Sequence, residues 1–167
     1  MSHRVFAGRV LAGLLALLVA SCDPPAPRLQ SGDKARPFTA QRLDGSTVRL
    51  PEDLAGKVVV VRFWADWCAF CKQEMKDVEE VYRATKDRGL VVLAVNVGQS
   101  RDTAAAFTSK IGVSYDVLLD PDSTVAKQYG VVGLPTSFVL GRDGTLRGKI
   151  LGESDKAVFA RMVEGLL

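Results

Sequence analysis

The sequence predicts an α/β fold, a mixed β-sheet flanked by helices on both faces. Three observations carry this. Val58 to Trp64 and Leu90 to Val97 are too continuously apolar for half-buried strands, so they read as strands buried on both faces. Stretches with helical apolar spacing alternate with them. Two Asp-Gly pairs, Asp44-Gly45 and Asp143-Gly144, lie between short strand-like runs and read as hairpin turns, which makes part of the sheet antiparallel.

Taken in order, Phe38 to Leu43 and Ser46 to Leu50 form an N-terminal β-hairpin around Asp44-Gly45, a pair suited to a tight primed turn. Pro51 to Leu54 reads as a short helical turn, and Lys57 to Trp64 as the first buried strand. A helix follows Cys68 and runs to about Arg88, with Cys71, Met75, Val78 and Tyr82 on one face and Gly89 ending it. Leu90 to Val97 is the second buried strand. Ser100 caps a helix over Arg101 to Ile111. A short strand at Val117 to Leu119 comes next. Asp120-Pro121 opens another helix, with the proline in first position, and Gly130 closes it. Thr136 to Leu140 and Thr145 to Ile150 flank the second hairpin turn. Ser154 caps a last helix whose Val158, Phe159, Met162, Val163 and Leu166 make one apolar stripe. No internal repeat is evident.

With 167 residues and 47% hydrophobic content, the chain is one ordinary domain plus an appendage. Residues 1–21 have the build of a signal peptide. His3, Arg4 and Arg9 form a basic start, and Val10 to Ala20 is an apolar run too short to be comfortable as a membrane span. Val19-Ala20-Ser21-Cys22 resembles the bacterial lipobox, in which the chain is cut before the cysteine and that cysteine is lipidated. The other reading is a plain secretory signal cut nearby, with Cys22 left free. Either way the domain is exported, where disulfides persist. Residues 22–37 read as a lipidated, proline-rich tether, and residues 38–167 as the domain. In extended form that tether reaches about 40 Å at roughly 3 Å per residue. Asp23 after the lipidated cysteine resembles the retention signal of inner-membrane lipoproteins in Gram-negative bacteria, which implies the periplasmic face of the inner membrane. Loss of residues 1–21 removes two bases and no acid, so the net charge falls from +3 to +1. No basic patch points to nucleic acid.

The chemistry lies in Trp67-Cys68-Ala69-Phe70-Cys71, where a buried strand turns into a helix N-terminus. Unpaired N–H groups and the helix dipole favour a thiolate at Cys68. A thiolate attacks a disulfide, and a second cysteine resolves the mixed disulfide. Two other readings are open. A structural zinc site needs about four ligands, and the chain offers only Cys22 and His3 besides, so no metal is expected. A structural disulfide would close a very short loop and stabilise little.

The motif Phe63-Trp64-Ala65-x-Trp67-Cys68-x-x-Cys71-Lys72-x-Glu74 resembles the thioredoxin superfamily, and within it the TlpA/ResA-like branch, from about Phe38 to the C-terminus. The resemblance implies a thioredoxin-like fold with the N-terminal hairpin and the helix at 101–111 as additions. It implies thiol-disulfide exchange without a cofactor other than the Cys68–Cys71 pair. It further implies that Pro135 follows a cis bond, and that the backbone of Leu134 pairs with an incoming peptide. A plain turn proline is the alternative. Trp64 reads as a core aromatic, and Trp67 as a flank of the substrate groove.

Several residues depart from the branch. Arg62 stands where thioredoxins proper have a buried aspartate. It either lies with its head in water or stabilises a thiolate as an inward cation; the first reading is favoured. Gln99 stands where the branch commonly has a glutamate, and Lys76 where it has a proline. Ala69-Phe70 differ from the common pairs between the cysteines and so tune the potential. Without acids at residues 62 and 99, a potential less reducing than thioredoxin's, about −270 mV, is expected. The resemblance implies a lipid-anchored reductase outside the cytoplasm, recharged by a membrane donor of the CcdA/DsbD type. Apocytochrome c or copper-site thiols would be its substrates. An oxidant or isomerase, and a non-enzymatic peptide-binding module, are the alternatives. A peroxiredoxin would need a differently placed cysteine.

Overall fold

The computed structural model of the protein describes residues 28–167. The predicted signal peptide, Cys22 and the first part of the tether lie outside the described residues. Seven strands form one mixed sheet: β1 (Phe38–Arg42), β2 (Thr47–Leu50), β3 (Val58–Trp64), β4 (Leu90–Val97), β5 (Asp116–Asp120), β6 (Thr136–Leu140) and β7 (Leu146–Leu151). Their order across the sheet is β2-β1-β5-β4-β3-β6-β7. Strands β3, β4 and β5 are parallel, and the flanking pairs are antiparallel. The helices are α1 (Cys71–Thr85), α2 (Arg101–Ile111), α3 (Thr124–Gln128) and α4 (Lys156–Glu164).

All seven residues of β3 are buried, Arg62 among them, as expected of a strand covered on both faces. Alternation splits them between two cores. Val59, Val61 and Phe63 join Leu93, Val95, Leu118, Phe138 and Tyr129 on one face. Val58, Val60 and Trp64 join Met75, Val78, Ala104, Phe159 and Val163 on the other. The second face is therefore roofed by α1, α2 and α4. The first is roofed by the short α3 and by residues 28–37, read from the sequence as tether. That segment buries Leu29 and Ala35 in the first core. Its backbone bonds to the β6–β7 hairpin, from Gly32 N to Leu146 O (2.8 Å), Leu146 N to Asp33 O (2.8 Å) and Ala35 N to Gly144 O (2.9 Å). The Tyr129 hydroxyl donates to Arg36 O at 2.7 Å.

Four local details differ from the sequence reading. The Asp44-Gly45 turn is not a primed two-residue turn. Gly45 N donates to Arg42 O and Arg42 N to Ser46 O, and only Gly45 has positive φ, which gives a three-residue loop with a bulge. Helix α1 stops at Thr85 and tightens into a 3-10 turn (Lys86–Arg88) before left-handed Gly89. Pro121 does not open α3, which begins at Thr124; the Asp120 carboxylate reaches forward to accept from the Val125 and Ala126 amides. Ser154 does not cap α4. Asp155 does, accepting from Val158 N at 2.8 Å, because the Ser154 hydroxyl is turned inward to Glu74.

Candidate active site

Strand β3 delivers the chain to the end of the sheet at Trp64, and α1 starts at Cys71. Between them the backbone turns twice, Cys68 N donating to Ala65 O and Cys71 N to Cys68 O. Cys68 and Cys71 are joined in a disulfide, with Cα atoms 5.4 Å apart. The cap position of α1 is Phe70, whose side chain makes no capping bond. The first-turn dipole is thus free to act on the sulfurs. Cys68 retains 5% exposure and Cys71 none, so the first cysteine is the more accessible, though both are buried in the oxidised form.

Antiparallel pairing of Phe63 with Thr136 sets the start of β6 beside the end of β3. That places Leu134-Pro135, a cis peptide, next to the cysteine loop. Leu134 and Trp67 line one cavity of about 320 Å³, together with Val97, Ala126, Val131 and Val132. Trp67 (70% exposed), Phe70 (53%) and Val132 (81%) make the rim of the site unusually apolar for a surface. Trp64 is fully buried and stacks on Phe107, the core role read from the sequence. Ala69 is exposed beside Phe70, between the two cysteines.

Arg62 corrects the favoured reading. Its head is not in water; the residue is fully buried on the α1 side of β3. Nη1 and Nη2 clasp the two oxygens of Glu74 at 3.1 and 2.5 Å, and Nη1 also donates to Ser137 Oγ at 3.0 Å. Ser154 Oγ donates to Glu74 Oε1 at 2.9 Å. Nor is Arg62 a lone cation at the sulfurs, because Glu74 neutralises it. Its partner Glu74 lies on the buried face of α1 shared by Cys71, Met75 and Val78. A carboxylate on that stripe and an arginine inside a buried strand were the available signal.

Gln99 is not aimed at the sulfurs. Its Oε1 accepts from Asp66 N (3.0 Å) and Asn96 Nδ2 (2.8 Å), and its Nε2 donates to Asp66 Oδ1 (2.5 Å). Lys76 is exposed on α1. Among the described residues no group of His, Cys, Asp and Glu could hold a metal ion, and no helix is long and apolar enough to cross a membrane.

Comparison with known proteins agrees with this geometry. Residues 31–149 match the model of the AhpC/TSA family. The chain is 33% identical over 129 residues to the thiol-disulfide oxidoreductase ResA of Bacillus anthracis, covering 77% of this chain and 74% of that protein. It is 34% identical over 131 residues to ResA of Bacillus subtilis (strain 168), covering 78% and 73%. A crystal structure of a thiol:disulfide interchange protein assigned as DsbE from Chlorobium tepidum superposes with a TM-score of 0.78 at 31% identity. That match covers 83% of this chain and 98% of the other.

Proposed function

Because the chain belongs to the AhpC/TSA family of the thioredoxin superfamily and is a thiol-disulfide oxidoreductase of the ResA/DsbE type, we propose that it reduces protein disulfides outside the cytoplasm, from a lipid anchor at Cys22. The observation that carries the reading is the Cys68–Cys71 pair at an uncapped helix N-terminus, beside the Leu134-Pro135 edge and an apolar cavity.

In the reduced protein, the Cys68 thiolate attacks one sulfur of a substrate disulfide. A bond forms between Cys68 and that sulfur, and the other substrate sulfur leaves as a thiolate. Cys71 loses its proton and attacks Cys68 Sγ. The mixed disulfide breaks, the Cys68–Cys71 bond forms, and the second substrate thiol is released. Two electrons pass from the protein to the substrate, and the departing thiolates take up protons. The helix dipole stabilises the Cys68 thiolate at the start, so Cys68 is the nucleophile. Burial of Cys71 keeps it from reacting with anything but Cys68. The substrate peptide lies along Leu134-Pro135 with Trp67 at its side. A membrane dithiol donor of the CcdA/DsbD type restores the dithiol, and apocytochrome c is the substrate in this reading. Leu29 packs in the core, so six residues, 23–28, separate Cys22 from the packed chain, a reach of about 21 Å at roughly 3.5 Å per residue. The anchor therefore holds the domain close to the membrane.

The test is trapping. A Cys71→Ser variant should accumulate mixed disulfides through Cys68 with extracytoplasmic cysteine proteins. Brief alkylation of the reduced wild type should label Cys68 before Cys71. Preferential labelling of Cys71, or no trapped partner, would defeat the assignment.

A further inference from the structure

We propose that Gln99, through Asp66, is a positioning residue that holds Trp67 as a wall of the substrate cavity, and that an amide rather than a carboxylate is required there. The proposal rests on the reductase reading above. Gln99 is pinned on both sides. Gly98 N donates to Asp120 O at 2.9 Å, and Ser100 caps α2 by accepting from Thr103 N at 3.2 Å. Buried Asn96, at the end of β4, supports the Gln99 carbonyl from below. From this frame the side chain crosses to the cysteine loop and makes two bonds to one residue, the Asp66 amide and the Asp66 carboxylate.

The two contacts with Asp66 define the amide's orientation. A backbone N–H can only donate, so it faces Oε1. An ionised carboxylate can only accept, so it faces Nε2. Asp66 directly precedes Trp67, which is 70% exposed and has little packing of its own to hold it. Cys68, by contrast, is buried and tied by its own bond to Ala65 O. The clasp therefore acts on the cavity wall more than on the sulfur. A glutamate at residue 99 would keep both acceptor bonds. It would lose the donor to Asp66 and set two carboxylates against each other. An asparagine at residue 66 would then restore the pair with donor and acceptor exchanged.

The test compares two disulfides, glutathione disulfide and a synthetic peptide disulfide with leucine beside its cysteine, reduced by wild type, Gln99→Glu and the double variant Gln99→Glu/Asp66→Asn. Gln99→Glu should slow the peptide reaction about five- to tenfold, the size of one hydrogen bond. Glutathione disulfide, which has no apolar side chain beside its cysteine to lie against Trp67, should change less than about twofold, and the double variant should recover most of the peptide rate. Fluorescence anisotropy should show Trp67 more mobile in Gln99→Glu; Trp64, the other tryptophan, is buried. Equal losses toward both disulfides, or no recovery in the double variant, would mean a general structural role and overturn the proposal. An active wild type whose rates and anisotropy are untouched by Gln99→Glu would overturn it alone. A wild type inert to both disulfides would overturn the reductase reading beneath it as well.

Discussion

At the scale of the residue, the Arg62–Glu74 pair is the most costly commitment among the described residues. Both side chains are buried, at 0% and 3% exposure. Removing such charges from water costs several kcal/mol each, offset only by good geometry and further hydrogen bonds. Here the contact is bidentate, and Ser137 and Ser154 add two bonds. The pair joins β3, α1, β6 and the β7–α4 connection directly beneath the first turn of α1. Arg62→Met or Glu74→Leu should each lower stability by about 3–5 kcal/mol, because each strands a buried charge. Urea unfolding would measure it. The double variant Arg62→Met/Glu74→Leu should recover most of the loss; a loss equal to the sum of the single changes would show that the partners are not coupled.

At the scale of the element, the two hairpins use one device. Asp44 Oδ1 accepts from the amide and hydroxyl of Ser46, and Asp143 Oδ1 from the amide and hydroxyl of Thr145. Gly45 and Gly144 follow with positive φ. Hydrogen bonds from Thr145, side chain first and backbone next, hold the Asp143 carboxyl down at about 2. Its folded value is below the unfolded one, so its contribution is complete above the ordinary carboxylate range near about 3.9. It is lost as pH falls from there through about 2. An NMR titration of Asp143 should show that low midpoint, and Thr145→Ala should move it upward. Gly45→Ala should cost about 1–2 kcal/mol from left-handed backbone alone, since a Cβ there would meet nothing within 4 Å. The Asp-Gly pairs announced both turns. The turn type was not legible, because it depends on which carbonyl each glycine amide finds.

At the scale of the whole molecule, residues 28–37 are part of the domain. They cover part of the sheet face that the five-residue α3 also roofs. A variant lacking residues 1–37 should be less stable than one lacking residues 1–27 by at least about 2 kcal/mol, chiefly from uncovering Leu29. Thermal unfolding of the two would decide, and equal midpoints would make the segment an ornament. The same packing bears on membrane attachment. A chain lipidated at Cys22, with Leu29 already packed in the core, should fractionate with membranes and hold the domain near them. A Cys22→Ser variant should be released or remain unprocessed.

The sequence by itself determined the α/β class, nearly every strand and helix, and the placing of a Cys-x-x-Cys at a strand-to-helix junction. Those properties are local: apolar period, caps, and glycine where the chain must turn. It also carried the motif that marks the family. Tertiary structure alone decided where Arg62 points, that Gln99 holds Asp66 rather than a sulfur, and that Ser154 serves Glu74 while Asp155 caps α4. It likewise made residues 28–37 a core element instead of a tether. Apart from the Asp155 cap, which Ser154 leaves open by turning inward, each of these joins positions 12 to about 115 residues apart in the chain. Local periodicity does not encode such pairings; a polar side chain finds its partner only once the sheet order has brought the two together.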